Sequence, residues 1–279
     1  MKTLKKLLKA VLGLIKSSLS LTNLTDKEIS GNFGWRTNFC FLPKTNVRLP
    51  FSLGRTVRGC SFVNDIDKDP FAKIVKQVLK SDHDEHAIAM LIECYEGELS
   101  LFGKSPMGSL EPKMFLGCPP WAIVMPWEKI SFQNKLAKYP NVFKNNRGSF
   151  GVNFHENISH DSFKFMYSRN VARSQVEQTR RLIDSIKSKG ILEIGQLPLV
   201  YVLRDGRRWK WCMTGEGNHR AYIFALLKQS DMLVEVYTLV DREKVDSWPN
   251  VINGNYTREE ALPVFDSFFE GTDCIRGMA

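Results

Sequence analysis

The sequence predicts an α+β protein whose most regular part is its C-terminal third. Three observations predict it. A hairpin signal joins two apolar segments at Arg204-Asp205-Gly206-Arg207, a glycine-rich turn opens a helix at residues 214–221, and a further apolar strand follows at 233–239. In order, the elements read helix, strand, strand, glycine turn, helix, strand.

Each element has a local cause. From Ser174 to Ser188, Val176, Leu182, Ile183 and Ile186 recur on one helical face, and Lys189-Gly190 supplies a basic last turn and a C-cap. Leu197 to Leu203 is a strand. Asp-Gly at the hairpin tip supports the reversal into Trp209 to Met213, where Trp209, Trp211 and Met213 share one side and Lys210 and Cys212 the other. A helix spans about 219–229.

The chain has 279 residues, 43% hydrophobic and 25% charged, which is ordinary for a globular protein. No apolar run reaches the length of a transmembrane helix. The net charge is +9, and more than half of it comes from Lys2, Lys5, Lys6, Lys9 and Lys16 in residues 1–22, which contain no acid. Overall basicity is therefore a poor argument for nucleic acid. That segment reads as a basic amphipathic helix, with Leu4, Leu7, Leu8, Val11, Leu12 and Ile15 at helical spacing. Lys9 interrupts the apolar run, so an export signal is not expected. The helix suits either packing on the protein's own body or an anionic membrane surface. The expected location is cytoplasmic, with residues 1–20 able to hold the chain at the inner membrane face.

Four regions follow: the amphipathic helix 1–22, an irregular region 23–165, the regular domain 166–245, and a closing segment 246–279. Within the second, Pro70 to Leu79 reads as a short helix and Ala87 to Tyr95 as an apolar run of either type. Cys118 to Trp127 is confined by prolines at both ends to a short extended piece, whose tryptophans suit the core or a stacking platform. Six dispersed cysteines show no metal-like spacing and read as reduced buried thiols. His83 and His86 share a helix face but bring no further ligands, so no metal site is expected. The closing segment holds Trp248, Tyr256, Phe265, Phe268 and Phe269 and reads as a helix covering the core.

The glycine turn carries the candidate chemistry. Thr214-Gly215-Glu216-Gly217-Asn218-His219-Arg220-Ala221 ends a strand and opens a helix, an arrangement that points backbone N–H groups at one spot. Gly215, Gly217, Asn218 and Arg220 are the candidate phosphate-binding residues. Glu216 at the turn and Glu177 on the preceding helix are candidate proton acceptors, and His219 can contact a phosphate or relay a proton. Each also has a structural reading: the glutamates as helix-surface or helix-start carboxylates, the histidine as a hydrogen-bonded packing residue. A second reading treats Arg204, Arg207, Arg208 and Lys210, beside Trp209 and Trp211, as an edge for nucleic-acid backbone.

The order of elements, with this turn in this place, resembles the ParB/sulfiredoxin-like domain over residues 166–245. Asp184-Ser185-Ile186 to Gly190, Pro198-Leu199-Val200-Tyr201-Val202, and Gly215-Glu216 with Arg220-Ala221 carry the resemblance. ParB-type chains have two arginines where Gly217 and Asn218 stand here, and sulfiredoxin-type chains have a cysteine where Asn218 stands. Sulfiredoxin chemistry therefore lacks its nucleophile, and the missing arginine pair counts against a partition protein. The resemblance implies a mixed sheet with helices and a phosphate cradle at Gly215 to Arg220 for ATP or another nucleotide, with Mg²⁺ as a compatible ion. It further implies an ATP-dependent phosphotransferase acting on a small hydroxyl compound or glycan precursor, or else a regulatory module that binds without chemistry. Pro120-Trp121-Ala122 with Pro126-Trp127, Asp246 to Val251, Tyr256 to Ala261, and Phe265 to Phe269 look like a ParB-fold group encoded among bacterial surface-polysaccharide genes.

Overall fold

The computed structural model describes residues 45–100, 123–135, 169–189, 197–215 and 217–271. The amphipathic segment 1–22, Trp121, Gly190 and Glu216 lie outside these.

The fold is α+β, built on a five-stranded mixed sheet. Its strands are β1 (Thr45–Pro50), β2 (Gly54–Arg55), β3 (Leu199–Asp205), β4 (Arg208–Met213) and β5 (Asp231–Asp241), in the order β1-β5-β3-β4-β2. β3 and β4 form the antiparallel hairpin, with Asp205 opposite Arg208. β5 runs parallel to β3, the crossover helix between them starting at the glycine turn. β1 is antiparallel to β5 and β2 parallel to β4. Two strands thus come from residues 45–55, inside the segment read as irregular, and they complete the sheet of the C-terminal part.

Alternation along the strands sorts side chains to two apolar layers. Val200 and Val202 of β3 join Trp209, Trp211 and Met213 of β4 on one face, while Tyr201, Leu203 and Cys212 go to the other. A register shift at Val200/Tyr201 inserts one extra residue into β5. An extra residue inverts the facing of everything beyond it. Met232, Val234 and Val236 therefore face the first layer and Val240 the second.

The first layer is covered by α1 (Pro70–Lys80), α2 (Glu85–Ser100), α3 (Arg169–Lys189) and α4 (Asn218–Leu226). Pro70 is at the helix start, where its missing N–H costs nothing, and Asp69 caps α1 by accepting from Phe71 N and Ala72 N. α3 is tied to the start of α2 by arginines: Arg169 and Arg173 pair with Glu85, and Arg180 pairs with Asp84 and donates to Ser81 O. The Asp84 carboxylate holds the Arg180 pKa above its ordinary value. The acids of Asp82-His83-Asp84-Glu85-His86 thus serve helix docking. His83 and His86 are exposed, and no group of three metal-ligating side chains occurs among the described residues.

The second layer holds Ile123 to Met125, Trp127 and the closing segment. α5 (Pro249–Ile252) is a single turn, and α6 (Arg258–Glu270) starts with a capping box between Thr257 and Glu260. Trp248, Tyr256, Phe265, Phe268 and Phe269 are all buried there, as expected of a covering helix. Trp127 is core: it meets Trp248, Phe265 and Phe268 edge-on at 5.6 to 6.0 Å. Residues 123–125 are buried but join no strand. Arg55, 4% exposed, ends α6 by donating to the carbonyls of Phe268, Phe269 and Glu270. Cys212 is a buried free thiol and Cys94 a half-buried one. Cys60 departs from the expectation of reduced thiols, being disulfide-bonded. Pairing depends on approach in space, which spacing along the chain does not disclose. No described helix is long and apolar enough to cross a membrane.

Candidate functional site

The glycine turn is held at both ends. Where β4 finishes, Thr214 N and Thr214 Oγ1 both donate to Leu199 O at 3.1 Å, which clamps the turn onto the start of β3. Gly215 has φ +114° and faces open space. Gly217 has φ +82° and is the N-cap of α4, so the cap position offers no side-chain acceptor to the helix. A Cβ at Gly217 would lie 2.6 Å from Pro198 Cβ and 2.7 Å from Pro198 Cα. Only glycine reconciles that φ with that approach. The first intrahelical bond is Ala221 N to Gly217 O at 3.1 Å. The amides of Asn218, His219 and Arg220 precede it, so the helix itself supplies them no acceptor, and its dipole adds positive potential there.

The side chains of this first turn are half-buried. Asn218 Oδ1 is buried with no hydrogen-bond partner. An orphaned amide oxygen calls for a donor such as a hydroxyl, and turning the amide over offers its NH₂ to an anion instead. His219 stacks on Phe71, with ring centroids 4.5 Å apart and planes tilted by 31°. Burial lowers its pKa to about 4, so at neutral pH it is an uncharged imidazole that contributes hydrogen bonds but no cation. Arg220 is the cationic side chain of the turn.

Beneath the turn lies a polar cluster that sequence reasoning missed. Asp69, fully buried, caps α1 with Oδ1 and accepts from Tyr222 Oη with Oδ2 at 2.6 Å. Burial, followed by the Asp69 charge, raises the Tyr222 pKa well above its ordinary value. The buried Arg58 and the Thr56 hydroxyl, which accepts from Arg58 N at 3.2 Å, lie near Tyr222 and act to lower its pKa. The carboxylate thereby joins the start of α1 to the first turns of α4. Asp69-Pro70 is a legible helix start; nothing in the sequence says that its second oxygen reaches Tyr222, 153 positions away.

The structure brings Gly215, Gly217, Asn218, His219 and Arg220 together at one bend. Glu216 lies outside the described residues. Glu177 is exposed on α3, where it reads as a surface helix residue. Two of the three hairpin arginines are engaged within the protein: Arg204 pairs with Asp241, while Arg208 pairs with Asp205 and Glu270 and lies 5.0 Å over the Phe269 ring; Arg207 is exposed. Trp209 and Trp211 are 5% and 0% exposed, which leaves no stacking platform on this hairpin. Trp211 Nε1 donates to Pro50 O instead.

Compared with protein-family models, curated proteins and solved structures, the chain matches none.

Proposed function

We propose that the chain binds the phosphates of a nucleotide at the Gly215–Arg220 turn and transfers a phosphoryl group from it to a small hydroxyl compound. The observation that carries this reading is the left-handed Gly217 pressed on Pro198, which fixes the start of α4, where the first-turn amides have no helical acceptor and lie beside Asn218 and Arg220. Phosphoryl transfer is mainly positioning and charge stabilisation, so a cradle, a cation and a proton acceptor are the required parts. The amides and Arg220 would hold the phosphates, with Asn218 facing either a phosphate oxygen or the acceptor's hydroxyl. His219 acts as a neutral hydrogen-bonding wall rather than a proton relay, because a group of pKa about 4 takes up little proton at neutral pH. Glu216 is then the proton acceptor adjacent in the chain. Mg²⁺ would arrive with the nucleotide and supply charge neutralisation to its phosphates.

The resemblance to the ParB/sulfiredoxin-like domain supports the nucleotide, and the buried hairpin tryptophans weigh against the nucleic-acid alternative. A glycan precursor as acceptor, and attachment of residues 1–20 to an anionic inner membrane face, belong to the same proposal. The test is a thermal-shift panel of ATP, CTP, GTP and ADP with Mg²⁺, followed by γ-phosphate release measured on the parent and on Arg220→Ala. The reading expects a nucleotide-dependent rise in midpoint, together with turnover that Arg220→Ala abolishes. Binding without turnover would instead establish the regulatory module. No shift with any nucleotide ends the proposal.

A further inference from the structure

A basic recess lies on another face of α1. The helix buries Ala72, Ile74, Val75 and Val78, and its opposite side carries Lys73, Lys76 and Lys80. Their spacing of three and four residues places the three ammonium groups on one stripe, spread over about 10 Å of helix axis. That stripe borders a concavity of about 290 Å³ lined by Lys73, Lys76, Lys80, Gln77, Asp67 and Met90. Asp67 comes from the 3₁₀ turn before α1 and Met90 from α2, so three elements of the fold form the walls. Asp67 is the single carboxylate of the lining, and it engages Lys76 at 2.7 Å. Lys73 and Lys80 make no ion pair among the described residues.

We propose that this concavity binds a small polyphosphorylated molecule through Lys73, Lys76 and Lys80. Three lysines against one carboxylate leave an excess of positive charge around the recess, within reach of the flexible side chains, and ammonium groups bind phosphate oxygens as point charges. The distribution of that charge along the helix favours several linked phosphates over one. Asp67 sets a threshold: a ligand must displace it from Lys76, and only a multiply charged anion gains enough from the three lysines to do so. The volume is at the lower end of small-molecule sites, which selects a compact ligand over a nucleic-acid duplex. Gln77 adds amide donors and Met90 an apolar wall. Phe71, which carries the His219 contact, is two residues from Lys73 and hence almost diametrically across α1, so this site is separate from the glycine turn.

The test is isothermal titration of the full chain with sodium tripolyphosphate, orthophosphate and citrate at about 0.15 M salt, where screening removes diffuse attraction. Tripolyphosphate is expected to bind, with orthophosphate and citrate at least about tenfold weaker. Lys73→Gln/Lys80→Gln should weaken tripolyphosphate at least about tenfold, and Lys73→Arg/Lys80→Arg should retain it, because the charge stays. Asp67→Asn should tighten binding, since the competing carboxylate is gone. The titrations are repeated in an Arg220→Ala background, so that tripolyphosphate taken up at the glycine turn is not counted; the binding removed by Lys73→Gln/Lys80→Gln should persist there, which separates failure here from failure of the nucleotide reading. Absence of tripolyphosphate binding overturns the proposal. So does equal affinity for orthophosphate or citrate, binding in the Arg220→Ala background that the two glutamines leave intact, or loss of all binding in Arg220→Ala alone. The lysines project away from the core, so circular dichroism of the double glutamine variant should match the parent, and Asp67→Asn reads the site by a gain that misfolding cannot produce.

Discussion

Replacing Gly217 by alanine tests the backbone geometry on which the candidate site rests. Two costs add there. A non-glycine residue at φ +82° carries a left-handed penalty of about 1–2 kcal/mol. The new Cβ would also sit 2.6 Å from Pro198 Cβ and 2.7 Å from Pro198 Cα, closer than real contacts allow, and overpacking of this kind costs about 1–3 kcal/mol. Pro198 has little freedom to retreat: its carbonyl accepts from Glu235 N at 2.9 Å, and its neighbour Leu199 accepts both donors of Thr214. The sum is about 2–5 kcal/mol of destabilisation. Gly215→Ala is the internal control, because a Cβ there meets nothing within 4 Å and only the backbone penalty, about 1–2 kcal/mol, applies. Urea unfolding followed by fluorescence measures both through the shift in midpoint at constant slope. Equal losses for the two variants, or a neutral Gly217→Ala, would refute the close approach to Pro198 and with it the argument that the turn is fixed for binding.

Two further outcomes follow from the groups around the turn. His219 has its pKa lowered by burial to about 4 from an ordinary 6.5, so between those values the unfolded chain binds the extra proton and the folded one does not. Its contribution to stability is complete above about pH 6.5 and is lost as pH falls toward 4; His219→Phe, which keeps a ring against Phe71, should flatten urea-unfolding free energy over that window, and an NMR titration of His219 near 6.5 would overturn the assignment. Asp69→Ala removes the α1 cap and strands the Tyr222 hydroxyl, for a loss of about 2–4 kcal/mol, with Tyr222→Phe costing about 1–2. A double-mutant cycle in which the two losses simply add would show that the pair does not couple α1 to α4.

Legibility followed sequence separation. The hairpin, the glycine turn and the helices at 70–80, 169–189, 218–226 and 258–270 arise from signals within a few residues: Asp-Gly at the tip, side-chain periodicity, and Pro70 at the start of the first helix. The buried ring cluster of the closing segment was legible because five aromatics in one short stretch have no other stable place. Thr45–Pro50 carried no such signal, since an edge strand needs apolar residues on one face only and its partner β5 lies nearly two hundred residues on. The buried Arg55 was illegible for the same reason, because the carbonyls it satisfies are 213 to 215 positions away. At the candidate site, the turn through Gly215, Gly217, Asn218 and Arg220 was legible from local spacing, while the cluster of Asp69, Tyr222, Thr56 and Arg58 beneath it was not.

The chain alone determined which segments are helix and which are strand through its C-terminal third, and where the backbone must bend through glycine, because those outcomes depend on neighbours in sequence. Tertiary structure decided the strand order, the recruitment of residues 45–55 into the sheet, and the burial that holds His219 uncharged. Those depend on desolvation and on which remote surfaces meet. Burial sets the charge of His219, and one ring packed against it, Phe71, belongs to a helix almost 150 residues earlier.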